Sequence, residues 1–278
     1  MVSERNMNKI LCSTGALIGR PNGRDYRLLL PLAEQLSCDG LEFMMYSSWY
    51  EETKELLAVL ADVPLPMPVM HCEKHIGEKI SLGGEEDIKE AFRLFEINCQ
   101  IAENIQAEKL VIHLWDGMTS DRNFENNKRA YPQLAELAKA YGADLLVENV
   151  VCSCKTPMEH LAELTEEYPE VHFVFDTKMA EFHRQLTLLY GEEYAWLWKD
   201  DHIRHYHVND YAGGYLDWSS LRTLPIGSGQ IDFERFFGYV RRTGYQGTYT
   251  VEATAFRADG SVDIEMLNGQ FRLIASFL

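Results

Sequence analysis

The chain has 278 residues, 46% hydrophobic and 25% charged, with 43 acidic against 26 basic side chains and a formal net charge of −17. This is the composition of a folded globular chain with a large core, and no Pro/Gly/Ser-rich linker or low-complexity tract divides it, so a single domain over residues 1–278 is expected. The charge repels phosphodiester backbones and anionic membranes, and no run of Lys and Arg offsets it, which argues against nucleic acid as a partner.

The opening residues, MVSERNMNKILCSTGALIG, lack the basic, apolar and small-residue order of a secretion signal, and no run approaches the ~18 apolar residues of a membrane span. A cytoplasmic location is expected. Cys12, Cys38, Cys72, Cys99, Cys152 and Cys154 are scattered in a chain too large to need stapling, and the Cys152-Ser-Cys154 pair reads as small loop residues rather than a redox or soft-metal pair. Along the chain, short apolar runs alternate with longer amphipathic segments. Strands are predicted over residues 9–14, 40–45, 68–73, 109–115, 144–150, 172–177, 203–209 and 248–254. Between them DYRLLLPLAEQL, EDIKEAFRLFEINCQIAENIQ, NNKRAYPQLAELAKAYG, PMEHLAELTEEY and FERFFGYVRRTGY carry apolar residues three and four apart, as helices do. Eight strand–helix units predict an α/β fold, a (β/α)8 TIM barrel with its chemistry at the C-terminal ends of the strands. An open doubly wound sheet would place a glycine-rich phosphate turn after the first strand, and GRPNG at 19–23 lacks that spacing.

Four predicted strands, LLVENV, FVFDTK, RHYHVND and YTVEAT, are interrupted near their C-terminal ends by Glu148, Asp176, His207 and Glu252. A charge buried on both faces of a parallel sheet needs a partner, and a shared divalent cation supplies one. Alternation adds neighbours on the same inward face: His71 with Glu73, His113 with Trp115, Asp176 with Lys178, and His205 with His207 and Asn209, while Glu42 and Glu252 complete the ring. Oxygen-rich ligation with one imidazole favours Mn²⁺, with Mg²⁺, Co²⁺ or Zn²⁺ as alternatives.

These residues resemble the xylose isomerase-like TIM barrels, a family of sugar isomerases and epimerases, inosose-processing enzymes and apurinic-site endonucleases. The resemblance spans nearly the whole chain, through DGLEF, VIH, VEN, DT, HVND, PIGSGQIDF and VEA. It implies that Glu148, Asp176, His207 and Glu252 bind one divalent ion and that Glu148 and Glu252 exchange protons with a sugar or cyclitol beside its carbonyl. Where the family's epimerases carry Asp-Thr-Gly-His, this chain reads Asp176-Thr177-Lys178-Met179. Lys178 then either holds or protonates a substrate oxygen, or pairs with Asp176 or Glu148. This departure leaves room for a lyase or dehydratase, or for a sugar-binding or partner subunit without turnover. His71 and His113 match positions that hold a second zinc in the endonucleases, but Leu221-Arg222-Thr223-Leu224 replaces the later Asp-x-His, so both are read as substrate-lining.

Trp115 is placed either against a sugar face or in the core, and Arg222 resembles the epimerase arginine that meets substrate, one residue out of register. His205 reads as a satisfied core histidine. Trp196, Trp198 and Trp218 read as packing or interface residues, and His160, His183 and His202 as solvent-exposed. Residues 211–224 and 152–157 are long enough to cover the mouth. With no phosphate-binding loop or arginine cluster, the expected substrate is a neutral sugar, keto-sugar or cyclitol. A homo-oligomer fits the family, but no interface is readable.

Overall fold

The computed structural model describes residues 8–278; residues 1–7, on which the reading of the N-terminus partly rests, lie outside it. Strands β1 (Lys9–Ser13), β2 (Gly40–Met44), β3 (Val69–His71), β4 (Lys109–Ile112), β5 (Asp144–Glu148), β6 (His172–Asp176), β7 (Ile203–Val208) and β8 (Thr248–Val251) close into one parallel barrel in sequence order. Helices α1 (Leu29–Ala33), α2 (Thr53–Asp62), α3 (His75–Leu82), α4 (Glu85–Asn104), α5 (Gly117–Ser120) and α6 (Phe124–Ala140) cover its first half. The second half carries α7 (Pro157–Glu167), α8 (Thr177–Phe182), α9 (Trp196–Lys199), α10 (Phe233–Thr243) and α11 (Ile264–Phe277). The chain is therefore a single (β/α)8 TIM barrel. Among the described residues, no helix is long and apolar enough to cross a membrane.

Each strand sends alternate residues to the two sides of the barrel wall. Phe43, Met70, Ile112, Val147, Phe175, Tyr206 and Tyr249 face outward into the main core beneath the helices. Leu11, Val69, Val111, Leu146 and Val174 form a separate apolar cluster inside the barrel. At the level of this cluster the interior is thus apolar on β1 and β3 to β6, whereas β2, β7 and β8 contribute Glu42, His205, Thr248 and Thr250, all buried.

Seven strands start at the predicted residue and β3 one residue later, at Val69, but all end one to three residues sooner than predicted, because polar side chains at the mouth take over the backbone bonding. Asp176 is the clearest case: its Oδ1 accepts the Met179 N–H at 2.7 Å and caps α8, so the chain turns helical at Thr177. Asn149 continues the β5–β6 ladder by side chain, accepting the Asp176 N–H at 2.6 Å and donating to the Asp176 carbonyl at 3.1 Å. Asp210 anchors the loop before α10, accepting from the backbone N–H of Gly227 at 2.9 Å, Gly229 at 2.8 Å and Ile231 at 3.1 Å. The VEN, HVND and PIGSGQIDF segments are in these terms loop-building motifs as much as chemical ones.

His160, His183 and His202 are buried, contrary to the expectation of exposure. Each follows a helix or loop that folds back on the barrel: His160 packs on Trp115 and Phe124, and His202 bonds the Val171 carbonyl at 2.7 Å. All six cysteines are free; the Cys152 thiol donates to the Lys155 carbonyl at 3.0 Å, and Cys154 is exposed. The Asp121 carboxylate accepts the backbone N–H of Ser153, Cys154 and Lys155, which fixes that loop beside the mouth.

Candidate metal centre at the barrel mouth

Glu148 and Asp176 end β5 and β6, His207 is the penultimate residue of β7, and Glu252 follows β8. One donor atom from each lies within 4.8 Å of the other three. The first three side chains are fully buried and Glu252 is nearly so, its side chain 10% exposed. Asn209 holds two of the carboxylates together, donating Nδ2 to Asp176 Oδ2 at 2.9 Å and to Glu252 Oε2 at 3.3 Å.

The ring of His207 shows what the cluster can hold. Its Nε2 faces Glu42 Oε1 at 3.0 Å and Oε2 at 3.2 Å, and a carboxylate only accepts, so Nε2 carries a proton. Its Nδ1 faces Glu148 Oε1 at 2.8 Å and Glu252 Oε1 at 3.7 Å. A neutral ring would aim a lone pair at two anions, so Nδ1 requires a proton or a metal ion. Metal-free, the proton fills that place: burial works against the charge, but Glu42, Glu252 and Glu148 outweigh it and raise the His207 pKa well above the usual imidazole value. Three converging carboxylates and one such imidazole fit a divalent cation.

The remaining groups show the same strain between burial and charge. Burial raises the Asp176 pKa, and Glu148 and Glu252 add to the rise against the opposing Lys178 charge. Burial also pushes Glu148 up, but His207 and His113 outweigh it and hold it well below the carboxylate range. His71 donates Nδ1–H to the Cys72 carbonyl at 2.8 Å and turns Nε2 to Glu148 Oε2 at 3.3 Å. His113 Nε2 stands 2.7 Å from the same oxygen. That approach is off the hydrogen-bond direction and is an electrostatic contact, and among the described residues neither His113 nitrogen has a hydrogen-bond partner. His71, His113 and Glu148 thus make a second buried group of metal-type donors that shares Glu148 with the first.

Two expected site residues lie elsewhere. Trp115 is fully buried, donates Nε1–H to the Val150 carbonyl at 2.9 Å and packs edge-on against Phe124, so it has no face free for a sugar. Glu73 turns away from His71, with its carboxylate on His75 and its N–H on Asn98, because β3 has already ended. Lys178 sits on α8 rather than on β6; it is buried and donates Nζ to Thr223 Oγ1 at 3.2 Å, and among the described residues no carboxylate lies in salt-bridge range. This bond ties residues 211–224 to the site. Arg222 is exposed on that segment, and among the described residues no hydrogen bond or ion pair holds it.

Glu42 also sits deeper than the ring in which the alternation placed it. It pairs in register with Ser13 and Val69, two residues below His71 on the barrel wall, so it lies beneath His207 rather than beside it. Alternation gives the inward face of a strand; depth depends on barrel shear, which no single strand encodes.

The neutral imidazoles around this site give a pH prediction. Burial pushes His183 and His205 down from 6.5 to about 4. Between those values the unfolded chain binds protons that the folded chain does not, so stability falls as pH drops through that window. His113 and His207, raised above 6.5, keep their contribution throughout it. Denaturant titrations of metal-free protein at pH 7 and pH 5 should differ by about 2 kcal/mol per lowered histidine, with pH 5 the weaker.

A family model described as xylose isomerase-like TIM barrel matches residues 30–268. Among solved structures, a D-tagatose 3-epimerase-like protein superposes with TM-score 0.69 at 17% identity, covering 97% of this chain and 96% of that one. The 3-keto-D-glucoside 4-epimerase of E. coli aligns with TM-score 0.67 at 16% identity over 96% and 99% of the two chains. The D-allulose 3-epimerase of Methylomonas sp. in complex with D-allulose gives 0.70 at 14% identity over 97% of each. No curated protein matches the chain by sequence.

Proposed function

Since the chain belongs to the xylose isomerase-like TIM-barrel family, we propose that it is a divalent-metal-dependent isomerase or epimerase of a sugar, keto-sugar or cyclitol. The observation that carries this reading is the convergence of Glu148, Asp176, His207 and Glu252, with His207 Nδ1 turned to two carboxylates, a position that only a proton or a cation can fill. A bound divalent ion polarises a carbonyl and so acidifies the neighbouring C–H. The protein's part is then proton transfer. Glu252, at the open edge of the cluster and restrained by Asn209, is placed to take or return a proton at carbon, and Glu148 is its counterpart on the buried side. Removal by one and return by the other inverts a centre when both act on one carbon, and moves a carbonyl when they act on neighbours.

Lys178 supports a second reading. A buried ammonium bonded, among the described residues, to a threonine alone can protonate a departing oxygen, which is the need of a lyase or dehydratase. Both readings are tested by incubating Mn²⁺-loaded protein in D₂O with ketoses, inososes and keto-glycosides, beside a chelated control. Deuterium entering next to the carbonyl without a change in product composition marks an isomerase or epimerase; loss of water or of an aglycone marks the lyase. No metal-dependent exchange on any member of the panel would refute the enolising chemistry in favour of a binding subunit.

A further inference from the structure

The polar half of the barrel interior forms a chain of hydrogen bonds beneath the site, and the donor–acceptor character of its members fixes its direction. On the barrel floor Lys109 Nζ donates to the Arg204 carbonyl at 2.9 Å and to Thr248 Oγ1 at 3.0 Å. His205 Nε2 faces a carboxylate, which only accepts, so it holds the ring's proton and the Thr248 hydroxyl directs its own proton to His205 Nδ1 at 2.6 Å. His205 then carries its proton on Nε2, which faces Glu42 Oε2 at 2.9 Å and Thr250 Oγ1 at 3.0 Å. Glu42 receives this bond from below and the His207 Nε2–H from above. Glu42, His205 and His207 are all 0% exposed, so no solvent competes for these bonds.

We propose that Glu42 is a positioning residue: locked from the barrel floor by His205 and Thr248, it holds His207 in the Nε2–H form and so aims the Nδ1 lone pair at the metal ion. This rests on the metal-centre reading. A metal-ligating imidazole needs its second nitrogen tied to an acceptor to keep both its tautomer and its ring orientation. Here one carboxylate serves two imidazoles, so its own orientation matters, and the lower histidine sets it. A glutamine at the same place sets an NH2 donor against one of the two imidazole N–H groups, and that ring must turn or change tautomer.

Two measurements test this. Nitrogen-15 NMR of histidine-labelled, metal-free protein at neutral pH should show His205 protonated at Nε2 and bare at Nδ1; a proton on Nδ1 overturns the chain's direction and the proposal. Mn²⁺ titrations followed by EPR then compare the wild type with variants whose cooperative unfolding has been verified. Glu42→Gln should weaken Mn²⁺ binding about 10- to 100-fold. Thr248→Val should weaken it about five-fold while Thr248→Ser leaves it unchanged, a split that mere loss of packing would not give. Unchanged affinity in both Glu42→Gln and Thr248→Val overturns the positioning role and leaves the metal centre standing. A wild type that takes up no Mn²⁺ overturns the metal centre, and the positioning role falls with it.

Discussion

Glu252→Gln should lower kcat by about 10²- to 10⁴-fold while leaving the thermal unfolding midpoint of the metal-free protein unchanged. The side chain stands at the edge of the cluster with one hydrogen bond, from Asn209, and its 3.7 Å approach to His207 is the longest contact that ring makes with a carboxylate. An amide of the same shape keeps an acceptor for Asn209 and removes the proton-accepting charge. Glu148→Gln should behave differently. That carboxylate is fully buried and faces His71, His113 and His207 together, so the amide leaves three imidazoles without the anion that stabilises them. Turnover should vanish, and denaturant titration should show a loss of about 3–5 kcal/mol, the usual cost of removing one partner from a buried charge group. If Glu252→Gln retained full activity, the two-carboxylate proton transfer would be wrong, and Glu252 would be a ligand alone.

The contrast between these glutamates shows what the sequence could and could not convey. Both are visible as charges that interrupt β-prone runs, because a parallel strand covered on both faces has no other reason to carry one. The barrel order and the start of every strand but β3, which begins one residue later, follow from the same apolar runs. What single runs do not carry is how far each strand continues beyond its functional residue and how deep it stands in the barrel. Lys178 is the example of the first: the period of two predicts that it shares a face with Asp176, but Asp176 caps a helix and the period changes to 3.6 at the next residue. Asp-Thr-Lys-Met-Ala-Glu-Phe contains that signal, since an N-cap residue followed by helix formers is a helix start. Trp115 fails for a related reason, because β4 ends at Ile112 and the alternation carries no meaning three residues later. Glu42 is the example of depth, and its hydrogen bonds to His205 and His207 span 163 and 165 residues, separations at which local pattern is silent.

Gly77→Ala should be among the most damaging single-methyl changes in the molecule, although it carries no site side chain and replaces glycine with the best helix former. On α3 the added Cβ would meet the His113 carbonyl oxygen at 2.1 Å and the Leu114 carbonyl oxygen at 2.6 Å, both backbone atoms that no rotamer change can move. Asn127 of α6 also bonds the carbonyls of Gly77 and Leu114, so α3, α6 and the end of β4 are joined at this point. Either α3 lifts away, breaking that joint, or the chain carrying His113 shifts, which disturbs the 2.7 Å approach of His113 to Glu148. A loss of about 3 kcal/mol or more is expected, at or beyond the upper end of ordinary overpacking, because backbone must yield on both sides. Gly142→Ala is the control: its φ of +82° strains an alanine, but nothing lies within 4 Å of the new methyl, so the cost should stay near 1 kcal/mol. Denaturant titration of the pair separates contact from strain. Mn²⁺-dependent exchange by Gly77→Ala below its unfolding range then reports on His113: impaired exchange in a still-folded protein means that the close approach of α3 to β4 sets the site's geometry, and normal exchange means that α3 yielded and β4 did not.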